Sequence, residues 1–239
     1  MRATTVIAAA GIAAFAFAGC IRYEEHIHFD RDGSGWVRAR LVVPRATADV
    51  IRSVMARSAD DTRPLVTPRE LDRRLRRDGA IVRRLEVTEA DTAEVWDVEY
   101  AFRDLETFRR LRDEGRDVSL TWRHDGRYEL AIVFSGDAED GVGPPASRPG
   151  AGAETAASDT GALARLMHTF AATFVIDAPT EIVAAPGGTF SGATATFSWS
   201  YAREGPAALQ SKTMHVIFRG EGLNWPVFET ARDESPVRD

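Results

Sequence analysis

The 239-residue chain has one cysteine, Cys20, and one lysine, Lys212. A single cysteine excludes any disulfide within the chain, so a folded domain here must be stable on its apolar core alone. The other 29 of the 30 basic residues are arginine, a bias that reads as GC-rich coding sequence rather than as function. Acidic residues outnumber basic ones, 36 to 30, and that balance argues against nucleic acid as the main partner. Long apolar runs are equally scarce. Beyond residue 20 no stretch approaches the roughly 20 apolar residues of a membrane-spanning helix. The nucleophile elbow, the H-E-x-x-H zinc motif, the phosphate-binding P-loop and the dinucleotide fingerprint are all missing. No spacing of Ser, His and Asp marks a triad either, so no catalytic residue is assigned and no metal or cofactor is expected.

What the chain does have begins at its start. Residues 3–19 carry no charge and follow a single basic residue, Arg2, which is the pattern of a secretory signal peptide over residues 1–19. The tetrapeptide Phe17-Ala18-Gly19-Cys20 resembles the lipobox of bacterial lipoproteins, with Phe17 standing where Leu is usual. That resemblance implies that Cys20 is lipidated and becomes the first residue of the mature protein, which accounts for a cysteine without a partner. A single acyl chain binds a membrane only at roughly 10⁴ M⁻¹, but bacterial lipoproteins carry two or three chains on this residue, which implies a permanent anchor. Ile21 follows the cysteine where an Asp would imply retention at the inner membrane, so the resemblance implies the outer membrane in a bacterium that has two. Removing 19 of the 239 residues leaves 220, enough for a sizeable core, and loss of Arg2 shifts the net charge from −6 to −7.

The mature chain alternates between strand and helix patterns. In YEEHIHFDRDGSGWVRARLVV, Tyr23, Ile27 and Phe29 share one face, and Glu24, His26, His28 and Asp30 the other. Matching apolar to apolar predicts a hairpin with Phe29 opposite Val37, Ile27 opposite Ala39, His28 opposite Arg38 and His26 opposite Arg40. It centres on Gly33, with Gly35 supplying a positive φ. A helix is expected over 47–58. A second is expected to start at Thr67-Pro68-Arg69-Glu70, a capping box with proline in the first turn, and to stop near Gly79. AIVRRLEV and EVWDVEYAF read as strands, the latter with Trp96, Val98, Tyr100 and Phe102 on one face. LETFRRLRDEG reads as a short helix ending at Gly115, and VSLTW and RYELAIVF as a hairpin across His124-Asp125-Gly126-Arg127. Residues 136–159 are rich in Gly, Pro and Ala and read as a flexible loop or linker. A helix near 163–170 is expected next. Strands ATFVIDAPTEIVAAP, TATFSWSYA (Phe197, Trp199 and Tyr201 inward) and KTMHVIF follow, and Trp225 and Phe228 are expected to pack back on the body. The fold class is α+β: antiparallel hairpins with several short helices. Residues 20–135 form its first part and 160–239 a β-rich remainder, preferred as completing one shared core.

The order of these elements resembles the LppM-type bacterial lipoprotein domain family. The resemblance rests on the cysteine directly before a strand, the charged hairpin YEEHIHFDRDGSG, the strand-to-helix step EVWDVEYAFRDLETF, and FVIDAPTEIVAAPGGTFSGATATFSW with its inward tryptophan. It implies an α+β domain anchored at the cell envelope and supplies no activity. The C-terminal membrane helix often found in that family has no counterpart in this sequence.

Three features compete for chemistry. DRDGSGWVRARL resembles the start of an EF-hand loop through Asp30, Asp32, Ser34 and Gly35. Its twelfth place is Leu41 instead of a bidentate Glu and its flanks alternate as strands, so it reads as a hairpin turn. His26 and His28 project beside Glu24 and Asp30, but they lack a third firm ligand and face two arginines, so a solvated sheet face is the better account. RELDRRLRRDGAIVRR carries Arg69, Arg73, Arg74, Arg76, Arg77, Arg83 and Arg84 against three acids. This local positive patch reads either as a site for anionic headgroups or envelope polymers, or more simply as a solvated helix face. The combined expectation is a secreted, lipid-anchored envelope protein with a non-catalytic domain that binds a lipid, a glycan or an envelope protein. Such a domain should show a pocket or apolar patch without converging titratable groups. A scaffolding lipoprotein is the alternative. An exported hydrolase or metal enzyme would require His26, His28, His124, His168 or His215 to meet carboxylates in a cleft.

Overall fold

The alternation from Tyr23 to Val43 does form a hairpin, in a register different from the one expected. The computed structural model describes residues 21–49, 67–112, 118–134, 170–209 and 211–228. In it β1 (Arg22–Phe29) pairs antiparallel with β2 (Gly35–Pro44), setting Ile27 against Val37, His26 against Arg38, Glu24 against Arg40 and His28 against Trp36. This is a slip of two residues from the predicted pairing, and a slip of two keeps every side chain on its own face. The cause is the turn. Asp32 accepts hydrogen bonds from the Ser34 amide at 3.0 Å and the Ser34 hydroxyl at 2.7 Å, which closes the loop one residue earlier. The positive φ of 85° then falls at Gly33 and not at Gly35. Gly35 is needed for closeness instead: a Cβ there would lie 2.0 Å from the His28 carbonyl oxygen and 2.5 Å from the Phe102 ring.

Residues 45–49 are helical, and the rest of the helix expected to 58 lies outside the described residues. Helix α1 (Pro68–Arg77) starts as its capping sequence predicts, with the Thr67 hydroxyl accepting from the Glu70 amide at 3.2 Å, and Gly79 follows it at a φ of 99°. The chain continues through β3 (Ile81–Glu89) and β4 (Ala93–Phe102) to α2 (Leu105–Leu111), capped by Asp104 on the Thr107 amide at 2.7 Å. Helix α2 stops short of the expected Gly115 because Arg112 leaves helical geometry, at φ −107° and ψ 85°. Strands β5 (Val118–Arg123) and β6 (Arg127–Phe134) turn at Gly126, whose φ is 79°.

The linker expected over 136–159, and all but the last residue of the helix expected over 163–170, lie outside the described residues. Strands β7 (Ala171–Asp177), β8 (Ile182–Ala184), β9 (Thr189–Ser191) and β10 (Thr194–Ser200) follow. The last of these ends two residues sooner than expected. Phe197 and Trp199 are buried, but Tyr201 opens a one-turn helix, α3 (Tyr201–Glu204), and is only partly covered. A 3₁₀ turn (Gly205–Leu209) leads into β11 (Lys212–Arg219).

The strands form a seven-stranded sheet in the order β3-β4-β2-β1-β7-β10-β9 and a four-stranded sheet in the order β5-β6-β11-β8. Both sheets draw strands from either side of residues 136–159. In the larger sheet the join is the parallel pairing of β1 with β7, which sets Glu25 beside Phe174 and His28 beside Asp177, and in the smaller it is the antiparallel pairing of β6 with β11. The architecture is α+β. The inner faces pack against each other, with Phe134 at 5.1 Å from Phe174 and 5.7 Å from Trp199 between ring centroids. The tail packs back as expected: Trp225 is buried, and Phe228 exchanges both backbone hydrogen bonds with Leu120, at 2.7 and 2.9 Å.

Candidate functional site

Near the start of β1 the seven-stranded sheet carries an inner face that the smaller sheet does not fill. Ala39 and Leu41 of β2 and Trp96 and Val98 of β4 line it, because each strand turns alternate residues inward. Leu71 and Leu75 of α1 and Leu111 of α2 close over it, leaving an apolar cavity of about 260 Å³. Except for Leu75, these seven apolar residues are only partly buried, so the cavity has an open apolar mouth. Such concave, largely apolar sites are where small molecules bind.

The base of the cavity is polar. Glu25 sits between Tyr23 and Ile27 on the inner face of β1, and its side chain is 2% exposed. It accepts a hydrogen bond from the Arg112 guanidinium and another from the Tyr23 hydroxyl at 2.9 Å. Arg112 packs over the Phe108 ring at 5.5 Å, and its Nε is buried with no hydrogen-bond partner among the described residues. Tyr100 completes the set. Burial opposes the charge on Arg112, yet the adjacent Glu25 outweighs it and the guanidinium holds its proton more tightly than usual. Burial, reinforced by the Glu25 carboxylate, holds the Tyr23 hydroxyl well above its ordinary range, and burial pushes Tyr100 up to about 12.

These tyrosines make stability fall in alkali. In the unfolded chain they ionise near pH 10, so the stabilisation is complete below about pH 10 and is lost as the pH rises towards about 12. Absorbance at 295 nm, recorded while circular dichroism is still native, should show two late phenols. Tyr23→Phe and Tyr100→Phe should each remove one of them. Ionisation of both at an ordinary pH in the folded protein would mean that the base of the cavity is wet.

This convergence differs from the pocket without titratable groups expected of a binding domain. The reason is that Glu25 and Arg112 come from β1 and the end of α2 and neutralise each other, leaving a site of no net charge.

The outer face of the same sheet carries the histidines. His26 Nε2 lies 2.6 Å from Asp177 Oδ2, and His28 lies 3.5 Å from the same oxygen and 3.4 Å from Asp30. Asp177 also accepts from the Thr194 hydroxyl at 2.7 Å. Burial tends to raise the Asp177 pKa, but the bonds from Thr194 and His26 prevail and hold it below the usual carboxylate range. Trp36 stacks on His28 at 5.4 Å and meets His26 edge-on at 4.7 Å. Neither predicted pairing forms: His26 stands opposite Arg38 instead of Arg40, and His28 opposite Trp36 instead of Arg38. Asp177 was not foreseen, because it reaches them from β7. No group of three His, Cys, Asp or Glu among the described residues is placed to hold a metal ion. His215 meets Glu129 at 3.1 Å, His124 is exposed in the β5–β6 turn, and His168 lies outside the described residues, as does Cys20.

The seven arginines are divided. Arg69, Arg73, Arg74, Arg76 and Arg77 lie on α1, and Arg83 and Arg84 on β3, where a bulge sends both towards Glu99 and Glu86. Arg74 and Arg77 reach Asp78 at 4.0 and 2.9 Å, and Arg76 reaches Asp72 at 3.0 Å. Arg83 and Arg84 reach Glu99 and Glu86 at 3.8 and 2.7 Å. Among the described residues, five of the seven thus have a carboxylate at hand, as on a solvated surface whose ion pairs contribute little.

No family model matches the chain, and no curated protein matches it. Among solved structures, it is similar to the folded domain of LppM from Mycobacterium tuberculosis, determined by NMR, at 10% sequence identity and a TM-score of 0.43. The match covers 84% of this chain and 90% of that one. It is a distant likeness of fold.

Proposed function

We propose that this chain is a lipid-anchored protein of the cell envelope, held through Cys20, whose α+β domain binds a lipid-like molecule in the cavity on the inner face of the larger sheet. The observation that carries the reading is the open apolar mouth formed by Leu41, Leu71, Trp96, Val98 and Leu111 above a neutral polar base. Filling it with an alkyl chain removes apolar surface of both partners from water, at roughly 25 cal/mol per Å². The anchor supports the same reading. Ile21 is buried and its carbonyl accepts from the Ala171 amide at 2.9 Å, so the residue next to Cys20 is already part of the fold. Tyr23, a lining residue, is three positions from Cys20, a chain reach of at most about 11 Å. The binding site would therefore stand at the membrane surface, where lipids are supplied.

Two measurements test the two halves. In a bacterium with two membranes, [³H]palmitate should label the full chain but not its Cys20→Ala variant; no label on either removes the anchor. For binding, methyl octanoate added to the full chain in nanodiscs should change the fluorescence of Trp96, with Trp96→Phe as the control that loses the signal. Val98→Arg, which places a charge in the cavity, should weaken that binding at least about tenfold. Equal binding by Val98→Arg would place the ligand elsewhere.

A further inference from the structure

Resting on that reading of the cavity, we propose that its ligand carries an uncharged oxygen acceptor, an ester or amide carbonyl, set against Arg112 and Tyr100, and that the site rejects free carboxylates. The hydrogen-bond inventory points this way. Both Glu25 oxygens are engaged, one by Arg112 and one by Tyr23, and the carboxylate is 2% exposed, so a ligand has little access to it. What remains is donor capacity. The Arg112 side chain lines the cavity and is 15% exposed, and its guanidinium carries more N–H groups than Glu25 can accept. Tyr100 lines the cavity, and its hydroxyl makes no hydrogen bond to any described residue. Surplus donors call for an acceptor, and a buried donor without one is destabilising.

Charge then decides which acceptor. Tyr23, Glu25, Tyr100 and Arg112 are the only ionisable groups among the described lining residues. Both tyrosines are neutral and the other two cancel, so a carboxylate would bring an uncompensated buried charge beside Glu25. A carbonyl oxygen of an ester or amide takes the same hydrogen bonds without that cost. An apolar chain ending in such a group matches both the lining and the base. Glu25 is thus the residue that sets specificity, without itself touching the ligand.

The test uses the full chain in nanodiscs at pH 8, with methyl octanoate and octanoate as probes and Trp96 fluorescence as readout, after subtracting empty nanodiscs. The wild type should bind the ester at least about tenfold more tightly than the carboxylate. Glu25→Gln keeps the size of the side chain but leaves Arg112 with a net positive charge, and should bring the carboxylate to equal or tighter binding. Tyr100→Phe, which leaves the charge pair intact, should weaken the ester about threefold to tenfold and leave the carboxylate unchanged. This second variant decides the matter if Glu25→Gln does not fold. Equal binding of the two probes by the wild type, or an ester preference unaltered in these variants, overturns the specificity proposal alone. Binding of neither probe overturns the reading of the cavity as well.

Discussion

Replacing Arg112 by methionine will destabilise the protein by about 3–5 kcal/mol, the usual consequence of removing one partner of a buried ion pair. At about 2–4 °C per kcal/mol for a domain of this size, the melting temperature should fall by roughly 10 °C. The cause is what stays behind. Glu25 is 2% exposed and, among the described residues, has only the Tyr23 hydroxyl as a further hydrogen-bond partner, so its charge would be left in an apolar wall. The double variant Glu25→Leu with Arg112→Met should recover most of the loss, because a buried pair contributes little net stability over apolar residues of similar size. Thermal and denaturant unfolding of the two proteins, compared with wild type, measures this directly. A single-variant cost below about 1 kcal/mol would show that water reaches Glu25, and the neutral base of the cavity would be lost with it. The double variant also separates two roles of the pair. It should be stable, yet it lacks the Arg112 donors on which the proposed recognition of a carbonyl depends in part, while keeping the Tyr100 hydroxyl.

Which parts of this were legible in the sequence follows from the range of the interactions concerned. The faces of β1, β2 and β4 follow from a period of two, and the start of α1 from Thr67, Pro68 and Glu70, all within four residues of one another. Register was not fixed at that level. It depended on whether the turn closed on Asp32 and Ser34, a choice of one residue that moves the pairing by two and leaves the hydrophobic pattern unchanged. The parallel neighbour of β1 was invisible, since nothing near residue 25 specifies contact with residue 174. For the same reason His26 met an acid, Asp177, that no local pattern supplies. Glu25 is the instructive omission. It occupies an inward position between Tyr23 and Ile27, and a charge on an apolar face was the one local sign that a buried partner must exist. Its partner, Arg112, lay in an arginine-rich run where nothing set it apart from its neighbours.

Trp225→Ala should cost about 3–5 kcal/mol, the range for truncating a large buried aromatic residue. Trp225 is 5% exposed and lies between the two sheets. It packs 5.9 Å from Phe29 of the larger sheet and 5.5 Å from Phe218 of the smaller one, between ring centroids. Its indole N–H donates to the Arg31 carbonyl at 3.0 Å, which ties the β1–β2 turn to the tail. Its backbone amide donates to the Tyr128 hydroxyl at 3.1 Å, and that hydroxyl donates in turn to the Trp225 carbonyl at 3.2 Å. Alanine would keep the two backbone bonds and lose the indole, so the expected defect is a cavity between the sheets with the tail still docked. Trp225→Phe should cost roughly half as much, since it retains most of the volume and forfeits the bond to Arg31. Phe29 and Tyr23 lie at opposite ends of β1, six residues or about 20 Å apart. Packing at the Phe29 end should therefore be energetically independent of ligand choice at the Tyr23 end. Trp225→Ala would melt early yet keep the wild-type ratio of ester to carboxylate binding, whereas Glu25→Gln would shift that ratio. A change of ratio in Trp225→Ala would mean that the sheet transmits strain along β1, and that the cavity is shaped by the whole interface between the sheets rather than by its own lining.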